Sequence, residues 1–206
     1  MKAKKSVKTK VNSDNYIYSS FKFGLRYIKN LKNYIGFVSL FFLLITFFGF
    51  IFPYFFREQI IKIIADLLKQ TEGLGTLELI SFIITNNIKT AFFGMVLGIF
   101  FGVVSLGIII VNGYVLGFIA KETVGIEGFS VLFRLVPHGI FEIPAIIISL
   151  ALGLKLGMFL FTYKGKDKPL EFLKWLSDSV KVFVFIIIPL LVIAGIIEGI
   201  LIMFVG

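Results

Sequence analysis

The sequence predicts an all-α fold: a polytopic transmembrane bundle of about five spans, four being the alternative, with one or two amphipathic helices in the interface. Composition is the first observation behind this. Of 206 residues, 58% are hydrophobic and 16% charged, whereas a soluble domain carries about 25% charged residues. The second is length. Apolar runs of roughly 17–25 residues recur between charged segments, enough to cross ~30 Å of hydrocarbon as helix. The third is spacing. Gly94, Gly98 and Gly102 stand four apart, as do Gly113 and Gly117, Gly153 and Gly157, and Gly195 and Gly199. In lipid, such glycines let helix backbones approach closely. Each crossing must satisfy its own backbone hydrogen bonds, which makes helices the default. We divide the chain into a basic segment, residues 1–33, and one transmembrane domain, residues 34–206.

The first 33 residues hold nine Lys or Arg and one acid, Asp14. Because the basic run ends at a span, it reads as a cytoplasmic tail rather than a nucleic-acid binder. A cleaved signal peptide is not expected, since the basic region is long and no small-residue site follows the apolar run. Span 1 covers about residues 34–56. In "REQIIKIIADLLKQTEG", Ile60, Ile61, Ile64, Leu67 and Leu68 share one helical face, and Glu58, Lys62, Asp66 and Lys69 the other. That pattern predicts an interfacial helix. Gly73 and Gly75 end it, and Thr76 is the expected cap of the next helix, with Glu78 near its positive end.

Residues 86–121 form one long apolar stretch, read either as one span or as two joined by a turn near residues 103–107. Charge separates the two. Five spans place fifteen basic residues on the cytoplasmic side against six outside, whereas four spans give eleven against ten. The positive-inside rule prefers five, with the N-terminus cytoplasmic and the C-terminus external. Span 4 follows at about residues 137–161. "GKDKPLEFLKWLSDS" reads as a second interfacial helix, with Pro169 in its first turn and Trp175 at headgroup level. Span 5 covers about residues 182–204, with a kink at Pro189.

The intramembrane polar residues are Asn86, Asn87, Asn112, His138, Glu142 and Glu198. Carboxylates at this depth are costly and face a partner or water. In the five-span arrangement, Asn86, Asn87, His138, Glu142 and Glu198 lie toward the outer end of their spans. His138 and Glu142, at i and i+4, share a helix face if the helix is continuous. If Pro144 breaks it, "PHGIFEI" lies in a half-helix or loop. Gly94, Gly98, Gly102, Gly113, Gly117, Gly139, Gly153, Gly157, Gly195 and Gly199 are the expected helix-packing glycines. The chain has no cysteine, which excludes disulfides, thiol catalysis and thiolate metal sites.

Four stretches recur together: "TNNIKTAFFGMVLGIFFG", "VNGYVLG", "PHGIFEIPAIIISLALGLKLG" and "AGIIEG". Over about residues 34–204 the sequence resembles the stage II sporulation protein M family of small integral membrane proteins. The matching positions are Asn86, Asn87, Asn112, Gly113, Pro137, His138, Gly139, Glu142, Glu198 and Gly199. The family's namesake belongs to a membrane complex with cell-wall hydrolases during engulfment in spore-forming bacteria. The resemblance therefore implies a scaffold or complex subunit, with no assigned chemistry.

Three functions compete. A non-enzymatic scaffold would use the polar cluster to fix helix packing. A transporter, channel or permease subunit would use His138, Glu142 and Glu198 as an ion or proton pathway. An intramembrane metalloenzyme is the weakest, because one histidine and two carboxylates on separate helices make a poor metal signature and neither HExxH nor GxSxG is present. The expected partners are the lipid bilayer and a membrane protein or second copy of the chain, not nucleic acid. No catalytic residue or cofactor is assigned, and a metal is left open.

Overall fold

The structure is a computed structural model describing residues 13–205; the side chains of residues 13, 14, 131–135, 138, 204 and 205 lie outside the described residues. The lysine-rich stretch 1–12 and Gly206 are likewise outside them. Among the described residues, every element is helical. In order they are α1 (Ser13–Asn30), α2 (Lys32–Ile51), α3 (Arg57–Thr71) and α4 (Thr76–Val96), which a 3-10 turn extends through Leu97–Ile99. Then come α5 (Val103–Glu127), α6 (Leu132–Gly157), α7 (Phe159–Thr162), α8 (Lys168–Val182) and α9 (Ile188–Val205).

Five stretches are long and apolar enough to cross a membrane: Lys32–Ile51, Thr76–Ile99, Val103–Glu127, Gly139–Gly157 and Lys168–Met203. The long apolar stretch is thus two helices. The turn between them falls at residues 100–102, a few residues earlier than expected. Phe101 and Gly102 both have positive φ, 53° and 73°, a conformation most side chains avoid. Gly102 supplies it cheaply, and the chain reverses there. Large side chains on the outer surface of α2 remain uncovered, Leu43 at 63% and Phe47 at 65% exposure. A lipid-facing helix is expected to look like this.

Helix direction follows from which residues meet. Gly113 lies against Ile45 and Phe42, and Gly117 against Thr46 and Phe50, so α2 and α5 run parallel. Ser149 donates a hydrogen bond to the Ala91 carbonyl (2.6 Å) and Gly153 abuts Gly94, so α4 and α6 also run parallel. Gly195 meets Ile84 and Gly199 meets Ile80, so α9 opposes α4. The five spans therefore alternate in direction, and α1 and α8 share one side. Phe23 lies near Lys181, and Tyr27 near Lys155 and Trp175, so α1 packs antiparallel to α8.

Three local points depart from the sequence reading or settle it. Gly75, not Thr76, is the N-cap of α4; the Glu78 carboxylate accepts from its backbone N–H at 2.9 Å. Glu78 reaches back where a glycine side chain cannot. Pro144 does not break α6, which runs helical through both Pro137 and Pro144. Pro144 leaves the Ile140 carbonyl without its intrahelical donor, but Ala145 and Ser149 beyond it are fully buried against neighbouring helices and hold the axis. Lastly, α8 is continuous with α9 rather than separate from it. A π-helical turn, Phe183–Ile187, joins it to α9. Pro189 brings no N–H, and the wider turn lets the Ile188 N–H bond to Phe183 instead. At ~1.5 Å per residue, the combined helix far exceeds a ~30 Å core, so its α8 half projects beyond the hydrocarbon.

The glycine pairs close the helix seams. A Cβ at Gly153 would meet Gly94 and Met95 backbone, and one at Gly157 would meet Gly98 and Phe101 backbone. Gly139 is the exception. Among the described residues, a Cβ there would meet only Ile143 of its own helix, at 3.6 Å, so no neighbouring helix is seen to press on it.

Candidate functional site: a polar cavity

The predicted amphipathic helix α3 positions the site. Its Ile60 is buried with Tyr114 and Phe118 of α5, and Ile64 packs against them. The Tyr114 hydroxyl donates to the Phe52 carbonyl (2.6 Å) and accepts from the Phe56 N–H (3.4 Å), pinning the turn that launches α3. Arg57 pairs with Glu122 at 2.7 Å. Both groups are substantially exposed, so the pair contributes under about 1 kcal/mol.

Beneath α3 lies a cavity of about 400 Å³. Asn86 and Asn87 of α4, Glu142 of α6 and Glu198 of α9 line it, with Leu67 and Leu68 of α3 above. The Glu142 carboxylate is near enough to Glu198 for the two charges to interact, and like charges so placed repel when both are ionised. Among the described residues, no group donates a hydrogen bond to Glu142. Asn112 is not in this cavity. It faces a smaller one of about 170 Å³, which Glu142 and Gly139 also line, and its amide donates to the Ile108 carbonyl of its own helix (2.9 Å). His138 stands in α6 one turn before Glu142, and its side chain is outside the described residues.

Deeper in the bundle the polar lining stops. Ala91, Ala145, Leu152, Leu191 and Ala194 are wholly buried. Ser149 and Ser105, both wholly buried, are spent on helix contacts: Ser149 donates to the Ala91 carbonyl, and Ser105 to the Gly94 carbonyl (2.8 Å). Neither has a base beside it among the described residues. No three His, Cys, Asp or Glu side chains among the described residues converge on a common point.

A second cluster, at the other end of the bundle, was not singled out in the sequence. Lys155 of α6 donates to the Tyr27 hydroxyl (2.8 Å) and lies over the rings of Tyr27 (4.2 Å) and Trp175 (4.5 Å). Trp175 in turn donates to Glu171 (3.1 Å). The available signal is a lone cation within "LGLKLG", which the charge balance counts only as positive-inside charge. Likewise Ser105 and Ser149 are lone hydroxyls in apolar runs, and Gly49, pressed against the Tyr114 backbone, lacks a glycine four residues away.

Tyr27 lies outside the spans, and burial pushes it up from 10.0 to about 12; a hydrogen bond with Ser179 opposes this, and Asp178 and Glu171 add to it. The folded state therefore favours the neutral phenol. Its contribution is complete below pH 10 and is lost as pH rises through about 12. Docking of α1 is accordingly expected to weaken over that window, and Tyr27→Phe to remove that component. Far-UV and tryptophan fluorescence titrations of the two proteins check this; identical alkaline transitions would refute it.

An alternating five-span bundle with a polar cavity toward one face defines a multi-pass integral membrane protein. The sequence profile of the stage II sporulation protein M family matches residues 38–201, and the chain belongs to that family. It is 37% identical over 136 residues to an uncharacterised protein of Methanocaldococcus jannaschii, covering 64% of this chain and 59% of that one. A second uncharacterised protein of the same organism is 35% identical over 123 residues, covering 56% of this chain and 66% of the relative. The chain thus spans less than two thirds of the length of either relative. No solved structure matches it.

Proposed function

We propose that this protein is a non-enzymatic scaffold or subunit of a membrane complex. Its N-terminus is cytoplasmic and its C-terminus external, and its partner is another membrane protein or a second copy of the chain. The carrying observation is the change of character along the bundle. The cavity holding Asn86, Asn87, Glu142 and Glu198 ends on the layer of wholly buried Ala91, Ala145, Leu152 and Leu191. The glycine seam between α4 and α6 continues below it. A dry layer of this kind favours a fixed framework over a conduit. Cross-linking in native membranes, followed by purification, tests the reading. A defined membrane or cell-surface protein, or a discrete homo-oligomer, is expected with wild type and lost with Glu142→Gln, while the variant's unfolding midpoint stays unchanged. Recovery of the chain alone and monomeric from both would sink it.

The second reading is a transport subunit, favoured by one observation: two carboxylates on separate spans, Glu142 and Glu198, line one cavity. Intramembrane carboxylates so placed mark ion or proton pathways. The scaffold reading predicts no pH-driven flux in proteoliposomes. A proton or cation flux that Glu142→Gln abolishes would displace it.

A further inference from the structure

At the end of the bundle away from the polar cavity, a hollow of about 300 Å³ opens between the last turn of α4, the junction of α6 with α7, and the start of α8. Ile99, Leu156, Leu160 and Phe172 form its apolar wall. Lys168 is the one charged residue lining it. The connection before α8 adds Lys164 and Lys166, and all three lysines are exposed, as is Asp167 between them. Lys174, further along α8, is already occupied by Glu171 at 3.4 Å. Around the rim, Leu160, Phe161 and Leu170 are 59%, 63% and 70% exposed.

The level of this hollow follows from its walls. It lies where the apolar stretches Thr76–Ile99 and Gly139–Gly157 both end, hence where hydrocarbon gives way to headgroups. An apolar recess there, rimmed by net positive charge, is complementary to a molecule with an anionic head and a hydrocarbon tail. We propose that it binds an anionic phospholipid. The phosphate lies among Lys164, Lys166 and Lys168, and part of an acyl chain lies against Ile99, Leu156 and Phe172. Each basic residue near an anionic membrane surface adds attraction, and the recess converts that diffuse attraction into a site. Free inorganic phosphate would gain nothing from the apolar wall, and a zwitterionic lipid would gain little from the lysines.

Native mass spectrometry of the purified full chain with phosphatidylglycerol or phosphatidylcholine of identical acyl chains tests this. Wild type should retain phosphatidylglycerol with roughly tenfold preference. Lys166→Gln/Lys168→Gln should lose that preference at an unchanged unfolding midpoint, and Lys166→Arg/Lys168→Arg should keep it. Lys62→Gln/Lys69→Gln removes two charges from α3 and should leave the preference intact. Equal retention of both lipids by wild type overturns the proposal, as does equal loss in the two glutamine pairs. Should the first pair shift the midpoint, Lys168→Gln alone must still lower the preference, and its failure to do so is equally adverse.

Discussion

Gly153→Leu is expected to be among the most damaging single substitutions in the bundle. A Cβ at this position would overlap the Gly94 carbonyl and approach Ser105 Oγ at 2.5 Å and Met95 Cα at 3.1 Å. Two of those three neighbours are backbone, which cannot swing aside as a side chain can. Overpacking usually costs about 1–3 kcal/mol and more where nothing can yield, so about 3 kcal/mol or more is expected here. The same change removes the geometry that lets Ser105 donate to Gly94 at 2.8 Å. Gly107→Ala is the control: a Cβ there meets nothing within 4 Å, and Gly-to-Ala inside a helix gains about 0.5–1 kcal/mol. The two substitutions should thus shift an SDS-titration unfolding midpoint in opposite directions. A Gly153→Leu protein unfolding with wild type would mean that the α4–α6 seam is not close-packed.

Lys155→Ala ranks next, and its effect should be local. The ammonium bonds the Tyr27 hydroxyl and lies over two aromatic rings. A desolvated cation–π contact contributes about 2 kcal/mol and a hydrogen bond to a charged group a similar amount. Because the contacts share one cation they are not additive, so we expect a loss of about 2–3 kcal/mol. The loss falls on α1, because Tyr27 is its anchor while Lys155 and Trp175 belong to the bundle. Limited trypsinolysis should then cut at Lys22, Arg26 or Lys29 at least tenfold faster, while the five spans remain protected. Lys155→Arg keeps the positive charge, presents a planar guanidinium able to stack on Tyr27 and Trp175, and should restore most of the protection. Cleavage of Lys155→Ala at the wild-type rate would show that α1 is held by other contacts.

What the sequence revealed, and what it hid, follows the range of the forces involved. Hydrophobic run length located the five spans, and i, i+4 periodicity located α3, because both are properties of one helix. Charge asymmetry chose five spans over four, as the reversal at Gly102 and the antiparallel pairing of α1 with α8 support. Chain order along alternating spans put Asn86, Asn87, Glu142 and Glu198 at a common depth, and the structure gives them one cavity. It could not tell that Asn112 faces a separate recess, because rotation about a helix axis is set by packing against neighbours. Pro144 left a continuous and a broken helix open for a related reason. Its local cost is real, but burial of α6 against its neighbours offsets it, and that burial is not visible in the residues alone. The Lys155 cage joins residues more than a hundred positions apart, so no local pattern announces it.

The polar cavity and the Lys155 cluster are expected to lie on opposite sides of one membrane. The natural chain has no cysteine, so single-cysteine labelling with a membrane-impermeant maleimide reads it directly. Cysteines would replace Lys62, on α3 above the cavity, and Lys166, in the loop before α8. The account predicts that position 62 labels in intact cells and position 166 only after permeabilisation. Labelling of both positions from the same side would contradict it.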